Sequence, residues 1–329
     1  MSELFVFGAG ASHASGGTPL GKDLVWNFCR DCSKWNAVGP DLRPTEKDLE
    51  ENRRDFIDFI NFLPKIENRY PELSGISDKL DKAMEEGELA SIDIRKGYYI
   101  DEIMEDLIRD RGYTDEVRLI KRIASQHISK TSHKSGNNFY KLFVKSLKDK
   151  TREEVAIISF NFDCLLEDDL RNGIYFDYLI EFDDIDSGRL YEPGRGIPLL
   201  KLHGSLDWRI NTDTGLMTLL PVEWYKSYGG EPCIFLPHEQ ANQRTSQLLD
   251  EAIKFVRRTK KITFIGYSLP DYDAEDAKEL FQSNIRNSTQ IKVIDILEGS
   301  IDRYKKFFDK NIVDEIVCDL RKYGTVRFF

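Results

Sequence analysis

The chain is expected to fold as an α/β protein: a parallel sheet flanked by helices, with a mainly helical inserted lobe. Three observations predict this. An apolar run at the start, Leu4–Phe7, passes straight into a glycine-rich turn, as a buried strand does before a helix. A long middle stretch repeats apolar residues at helical spacing. From Val155 onward, short β-rich runs alternate with turns and a helical segment, the pattern that builds a parallel sheet.

Each element has its own warrant. Leu4-Phe5-Val6-Phe7 meets Gly8-Ala9-Gly10-Ala11-Ser12 at once, which reads as the first strand and turn of a nucleotide-binding unit. Beyond Pro19, the series Leu20, Leu24 and Phe28 has helical spacing. So do Phe56, Ile60 and Leu63, then Ile100, Met104 and Ile108, then Phe139 and Phe143. Runs at Val155–Phe160, Leu199–Leu202, Ile262–Ile265 and Ile291–Leu297 predict the remaining strands, with a helix around Leu249, Ile253 and Val256. The simplest architecture is one core built from residues 1–26 and 151–329, interrupted by a helical insertion over about 27–150. A length of 329 residues suits one large core with a second lobe.

Composition narrows the function. Hydrophobic residues make up 40%, charged residues 32% and aromatics 12%, the balance of a globular protein able to build a core. The formal net charge of −10 disfavours a general attraction to phosphate backbones or anionic lipid, so neither nucleic acid nor membrane is expected as a partner. Neither a signal-peptide core nor an apolar run of spanning length is found, and the expected location is the cytoplasm. Only Cys29 and Cys32 among the five cysteines have C-x-x-C spacing. Because structural zinc normally takes four ligands, no metal is expected.

Four motifs carry candidate chemistry. Gly8 and Gly10 permit a tight turn and close approach to a pyrophosphate at a helix start, with Ser12 as a further donor; the same turn could simply join strand to helix. A dehydrogenase fingerprint would need glycine where His13 stands, so a conventional dehydrogenase is not expected. In Ser159-Phe160-Asn161-Phe162-Asp163, Asn161 suits ribose hydroxyls or a water. Asp163 suits either a carboxamide N–H or the capping of a following helix. In Lys201-Leu202-His203-Gly204-Ser205, His203 is a candidate general base, with His13 as a second candidate. In Ile265-Gly266-Tyr267-Ser268-Leu269-Pro270-Asp271-Tyr272-Asp273, Gly266 and Ser268 suit phosphate or ribose, and Asp273 suits a helix cap. Asp295, in the last predicted strand, is either a ribose acceptor or a polar residue at a strand edge.

In order, GAGAS, SFNFD, KLHGS and IGYSLPDYD resemble the motif series of the sirtuin-like superfamily, especially its bacterial branch of antiphage NAD hydrolases. The resemblance covers residues 1–26 and about 150–300 and implies a Rossmann core with NAD, as substrate, held between that core and a smaller lobe. It assigns Gly8, Ala9, Gly10 and Ser12 to the phosphate turn, Asn161 and Asp163 to ribose and nicotinamide, and His203 to catalysis. Gly266 and Ser268 fall to a later NAD-binding turn and Asp295 to the adenosine side. Two departures weigh against a protein deacylase. Leu20-Gly21-Lys22 follows Gly17-Thr18-Pro19 in place of the deacylases' aspartate, aromatic and arginine, and only Cys233 and Cys318 lie downstream of His203, where deacylases carry four zinc cysteines. The activity implied is hydrolysis of NAD to nicotinamide and ADP-ribose. A protein deacylase and a non-enzymatic NAD or ADP-ribose module are the alternatives. The resemblance further implies self-assembly into a homo-oligomer, or a separate sensor such as a short Argonaute or a HerA-type ATPase.

Overall fold

The computed structural model describes residues 2–16, 118, 121, 124–125, 128, 139–185, 194–210, 214, 216–220, 231–234, 243–269, 277–295, 298–309, 313–317 and 320. The chain divides into two compact units, one of Met1–Thr18 with Ile128–Phe329 and the other of Pro19–His127. Every described helix and strand assigned below belongs to the first. Most of the helical lobe expected at about 27–150 lies outside the described residues, as do Cys29, Cys32, Cys318, Pro270, Asp271 and Asp273.

The first unit runs β1 (Glu3–Phe7), α1 (Ala9–Gly16), α2 (Phe139–Ser146), β2 (Val155–Ser159), α3 (Leu165–Leu170), β3 (Phe176–Asp177), β4 (Asp184–Ile185) and β5 (Ile197–Lys201). It continues through β6 (Gly204–Ile210), β7 (Met217–Leu219), β8 (Glu231–Ile234), α4 (Gln243–Arg258), β9 (Lys261–Ile265), β10 (Gln290–Asp295), α5 (Glu298–Phe307) and β11 (Val313–Val317). Seven strands form one sheet in the order β11-β10-β9-β1-β2-β5-β3, and every pair in it is parallel. The fold is therefore α/β, as the strand alternation predicts. A smaller sheet, β4-β7-β6-β8, takes β4 from just before β5 and its other three strands from the chain after it.

Burial explains why these segments are strands. β1, β2 and β5 are buried at every position, which is why each reads as a continuous apolar run rather than an alternating one. One helix packed on the sheet is unusually aromatic. Phe143 of α2 sits edge-on to Phe5 and to Phe7, with ring centroids 4.9 Å away in each case. Tyr140 meets Phe7 edge-on at 5.6 Å. Edge-to-face pairing of this kind adds to the burial of large rings. Among the described residues no helix is long and apolar enough to cross a membrane.

Register decides where the motifs end up. Phe7 lies opposite Ser159 on one side and Ile265 on the other, Ser159 opposite Lys201, and Ile265 opposite Ile294. The residues that follow these positions leave the sheet along one edge, at the carboxyl ends of the strands. The sheet grows from β1 toward β2 and β5 and then, by way of α4, toward β9 and β10, so the order reverses between β1 and β9. Open sheets bind ligands outside the carboxyl ends at such a reversal.

Candidate functional site

The edge begins where two glycine turns meet, main chain to main chain. A Cβ on Gly8 would stand 2.5 Å from Tyr267 Cα, and one on Gly10 would stand 2.9 Å from the Gly266 carbonyl oxygen. Gly266 has φ of +59°, and a Cβ there would lie 2.3 Å from the Ala11 nitrogen. The contact is sealed by hydrogen bonds. Gly8 N–H donates to Ile265 O (3.1 Å), Gly10 N–H to Gly266 O (2.9 Å) and Gly266 N–H to Ile294 O (3.0 Å). The N–H groups of Gly8 and Gly10 are thus bonded to the end of β9 and the turn after it, while the tight turn itself begins α1. Ala9 remains exposed at the start of α1, and Ser268 is half-buried just beyond Gly266.

Beside this contact, Asn161 is 6% exposed and tied into β1. Its Nδ2 donates to Gly8 O (2.9 Å) and lies 2.8 Å from Ser12 Oγ and 3.3 Å from Tyr140 Oη. Its Oδ1 is buried and has no hydrogen-bond partner among the described residues. Ser12 and Tyr140 are themselves 2.9 Å apart. Ser12 therefore faces Asn161 and Tyr140. Burial, reinforced by the nearby Asp163 carboxylate, pushes the Tyr140 hydroxyl well above its ordinary range and keeps it protonated, although its bonds to Ser12 and Asn161 pull the other way.

Asp163 is buried, and its Oδ1 accepts from Leu165 N–H at 3.1 Å. The helix-capping role weighed from sequence is thus present for that oxygen at the start of α3. The next turn is pinned from below by Lys201, whose Nζ donates to the Asp163 carbonyl oxygen and to Glu167 Oε1 (2.6 Å). Both charged side chains are 1% exposed. Burial lifts the Glu167 carboxyl to about 7 against the pull of Lys201. Burial is the strongest single influence on Lys201 and opposes its charge, yet Glu167 together with Cys164, Asp163 and Asp207 holds the ammonium above its ordinary value. A second buried group lies alongside, where Asp207 Oδ2 accepts from Arg171 and from Tyr178, both at 2.9 Å.

His203, 7% exposed, sits between β5 and β6 where Gly204 takes φ of +79°. That left-handed turn lets the chain leave the main sheet for the smaller one. The imidazole lies edge-on to Phe160 (5.1 Å) and tilted on Phe162 (5.9 Å). Phe160 also stacks on Tyr267 at 4.4 Å and 9°, so one ring links the histidine to the Gly266 turn. The bonds Leu202 N–H to Ser159 O and Leu206 N–H to Phe162 O keep the two motif segments side by side.

Four motifs distant in sequence are therefore gathered on one sheet edge, with Asn161 and His203 on the β2–β5 half and the glycine turns on the β1–β9 half. Asp295 ends β10, buried, one residue past the Ile294 carbonyl that holds Gly266. His13 is half-buried within α1. Among the described residues no group of three or more histidine, cysteine or acidic side chains is arranged to hold a metal ion. Sequence reasoning missed Tyr140 and Glu167 and assigned no role to Lys201. A lysine closing an otherwise apolar strand was a signal that something buried must neutralise it.

No curated protein matches this chain. Solved structures with partial likeness include a Sir2–peptide–NAD+ complex (14% identity, covering 98% of this chain and 90% of that one, TM-score 0.42). Another is a mutant Sir2 homologue complexed with ADP-ribose (13% identity, 98% and 88% covered, TM-score 0.48). Residues 155–313, just under half of the chain and the stretch that supplies Asn161, Asp163, His203, Gly266 and Asp295, match the family model described as a SIR2-like domain.

Proposed function

We propose that this protein binds NAD along the carboxyl edge of the sheet and hydrolyses it to nicotinamide and ADP-ribose. One observation supports this above the others: a buried carboxamide oxygen with no hydrogen-bond partner among the described residues, Asn161 Oδ1, held on the same edge as His203, two residues beyond β5. A buried acceptor left unsatisfied costs free energy unless a ligand or water completes it, and a ribose hydroxyl or an attacking water has the matching O–H.

In this reading the glycosidic bond between nicotinamide and ribose breaks, the bonding pair leaves with nicotinamide, and water adds to the sugar carbon. The water's proton goes to solvent by way of His203, the general base. Asp163 engages the carboxamide of the leaving group, and Asn161 orients ribose or water, so that alignment supplies much of the rate. Ala9, at the exposed start of α1, with Ser268 and Gly266, lies along the diphosphate, and Asp295 is assigned to the adenosine side. Gly8, Gly10 and Ser12 contribute by shaping the turn.

The reading extends to an NAD-depleting effector in bacterial antiphage defence, with a homo-oligomer or a separate sensor as the trigger. It rests there on the motif resemblance. Incubation with NAD alone and with NAD plus an acetyl-lysine peptide, followed by chromatography, separates the competing chemistries. Hydrolysis predicts nicotinamide and ADP-ribose in both arms. Acyl-ADP-ribose formed only with peptide would establish a deacylase, and saturable NAD binding without nicotinamide would establish a binding module. If hydrolysis rises more than proportionally with protein concentration, self-assembly is the trigger.

A further inference from the structure

We propose that Tyr140, together with Ser12, is a positioning residue that locks the Asn161 carboxamide in one orientation, so that the site presents Asn161 to its ligand purely as a hydrogen-bond acceptor. The inference deepens the NAD-hydrolase reading and rests on it for the identity of the ligand. The lock itself is independent of that reading.

Gly8 O fixes the orientation of the amide. A carbonyl oxygen only accepts, so the side-chain atom 2.9 Å away must be the nitrogen of the Asn161 amide. The remaining N–H has Ser12 Oγ at 2.8 Å as its nearest acceptor, with Tyr140 Oη at 3.3 Å beside it. Ser12 and Tyr140 hydrogen-bond to each other at 2.9 Å, so each hydroxyl fixes the direction of the other. Both amide protons are thereby consumed inside the protein. Only Oδ1 is left, and it is buried without a partner among the described residues.

The three residues come from three separate elements, α1, α2 and the segment after β2. Tyr140 is held rigidly for this task, its ring edge-on to Phe7 and beside Phe139 at 5.7 Å. Its hydroxyl stays protonated because burial and Asp163 both oppose its ionisation. The site at Asn161 is thus complementary to a hydroxyl or water that donates, and is hostile to a ligand atom that only accepts.

The direct test is amide exchange on the full chain carrying 13C,15N-labelled asparagine, with the Asn161 NH2 pair identified by its disappearance in Asn161→Ala. Protected NH2 protons are expected in the wild type, with at least about tenfold faster exchange in Tyr140→Phe and in Ser12→Ala. An unchanged thermal midpoint in Tyr140→Phe would show that the change is local. Fast exchange in the wild type, or equal protection in both variants, would overturn the lock. Adding NAD should move the Asn161 side-chain carbonyl 13C resonance and leave the NH2 pair protected; NH2 protons that shift and deprotect on NAD binding would overturn the acceptor assignment. In turnover, Tyr140→Phe should lower kcat about fivefold to tenfold with little change in KM. A wild type that exchanges slowly but releases no nicotinamide would leave the lock standing and count against the hydrolase.

Discussion

The two halves of the sheet edge are built by different means. On the β1–β9 half, Gly8, Gly10 and Gly266 bring main chain against main chain, and three N–H groups that look available to a ligand are spent on Ile265, Gly266 and Ile294. On the β2–β5 half, side chains do the work: Asn161 keeps one acceptor unspent, and Lys201 and Glu167 brace the Asp163 turn from the interior. The contrast teaches that glycines in a nucleotide-type turn can be required for architecture, and the proposed chemistry falls to polar side chains that follow the neighbouring strands. Substitutions should therefore separate, with one half answering in stability and the other in turnover.

The largest effect is expected at Gly266. In Gly266→Ala the new methyl group meets backbone at 2.3 Å in a left-handed conformation, and the cost should be about 4 kcal/mol or more. A thermal midpoint lowered by roughly 10 °C or more would be the readout. A variant of unchanged stability would show that the two turns separate easily, breaking the comparison. Lys201→Met comes next, because it leaves Glu167 buried with no countercharge. About 3 kcal/mol should be lost, and Lys201→Met with Glu167→Leu should recover part of it. Failure of the pair to couple in a denaturation cycle would remove the bracing role.

How much of this could be read from sequence depended on where the reason for each residue lies. The sheet was legible because parallel strands buried on both faces read as unbroken apolar runs, and because each of the four motifs followed such a run directly. The placement of Asn161 and His203 at the carboxyl ends of β2 and β5 was legible for the same cause. The employment of Gly8 was not, since the atoms that exclude a side chain there belong to Gly266 and Tyr267, far along the chain. Tyr140 gave no motif at all. It sits in an aromatic helix, Phe139-Tyr140 with Phe143, whose spacing predicts packing and whose single polar atom reaches Ser12 across 128 positions of sequence. Glu167 was hidden in Leu165-Leu166-Glu167, where helical spacing assigns the leucines inward and leaves the carboxylate looking exposed.

A smaller effect sharpens the β2–β5 half. The Glu167 carboxyl is raised from the ordinary carboxylate value to about 7 by burial. The folded state therefore binds a proton that the unfolded state has already released across the window between about 4.5 and 7. Stability from this group is full below the unfolded value and declines as pH rises through that window. Glu167→Gln should flatten the decline, as followed by urea midpoints at several pH values. An unaltered slope would place the raised group elsewhere.

The central claim is that Asn161 and His203 cleave NAD on an intact scaffold. It is met most directly by measuring nicotinamide release from NAD by the wild type, Asn161→Ala and His203→Ala, with NAD binding of each followed by calorimetry. The account predicts release by the wild type and a fall of about a hundredfold or more in each variant, with thermal midpoints within a few degrees of wild type. Wild-type rates in both variants, or a wild type that binds NAD and releases no nicotinamide, would contradict it.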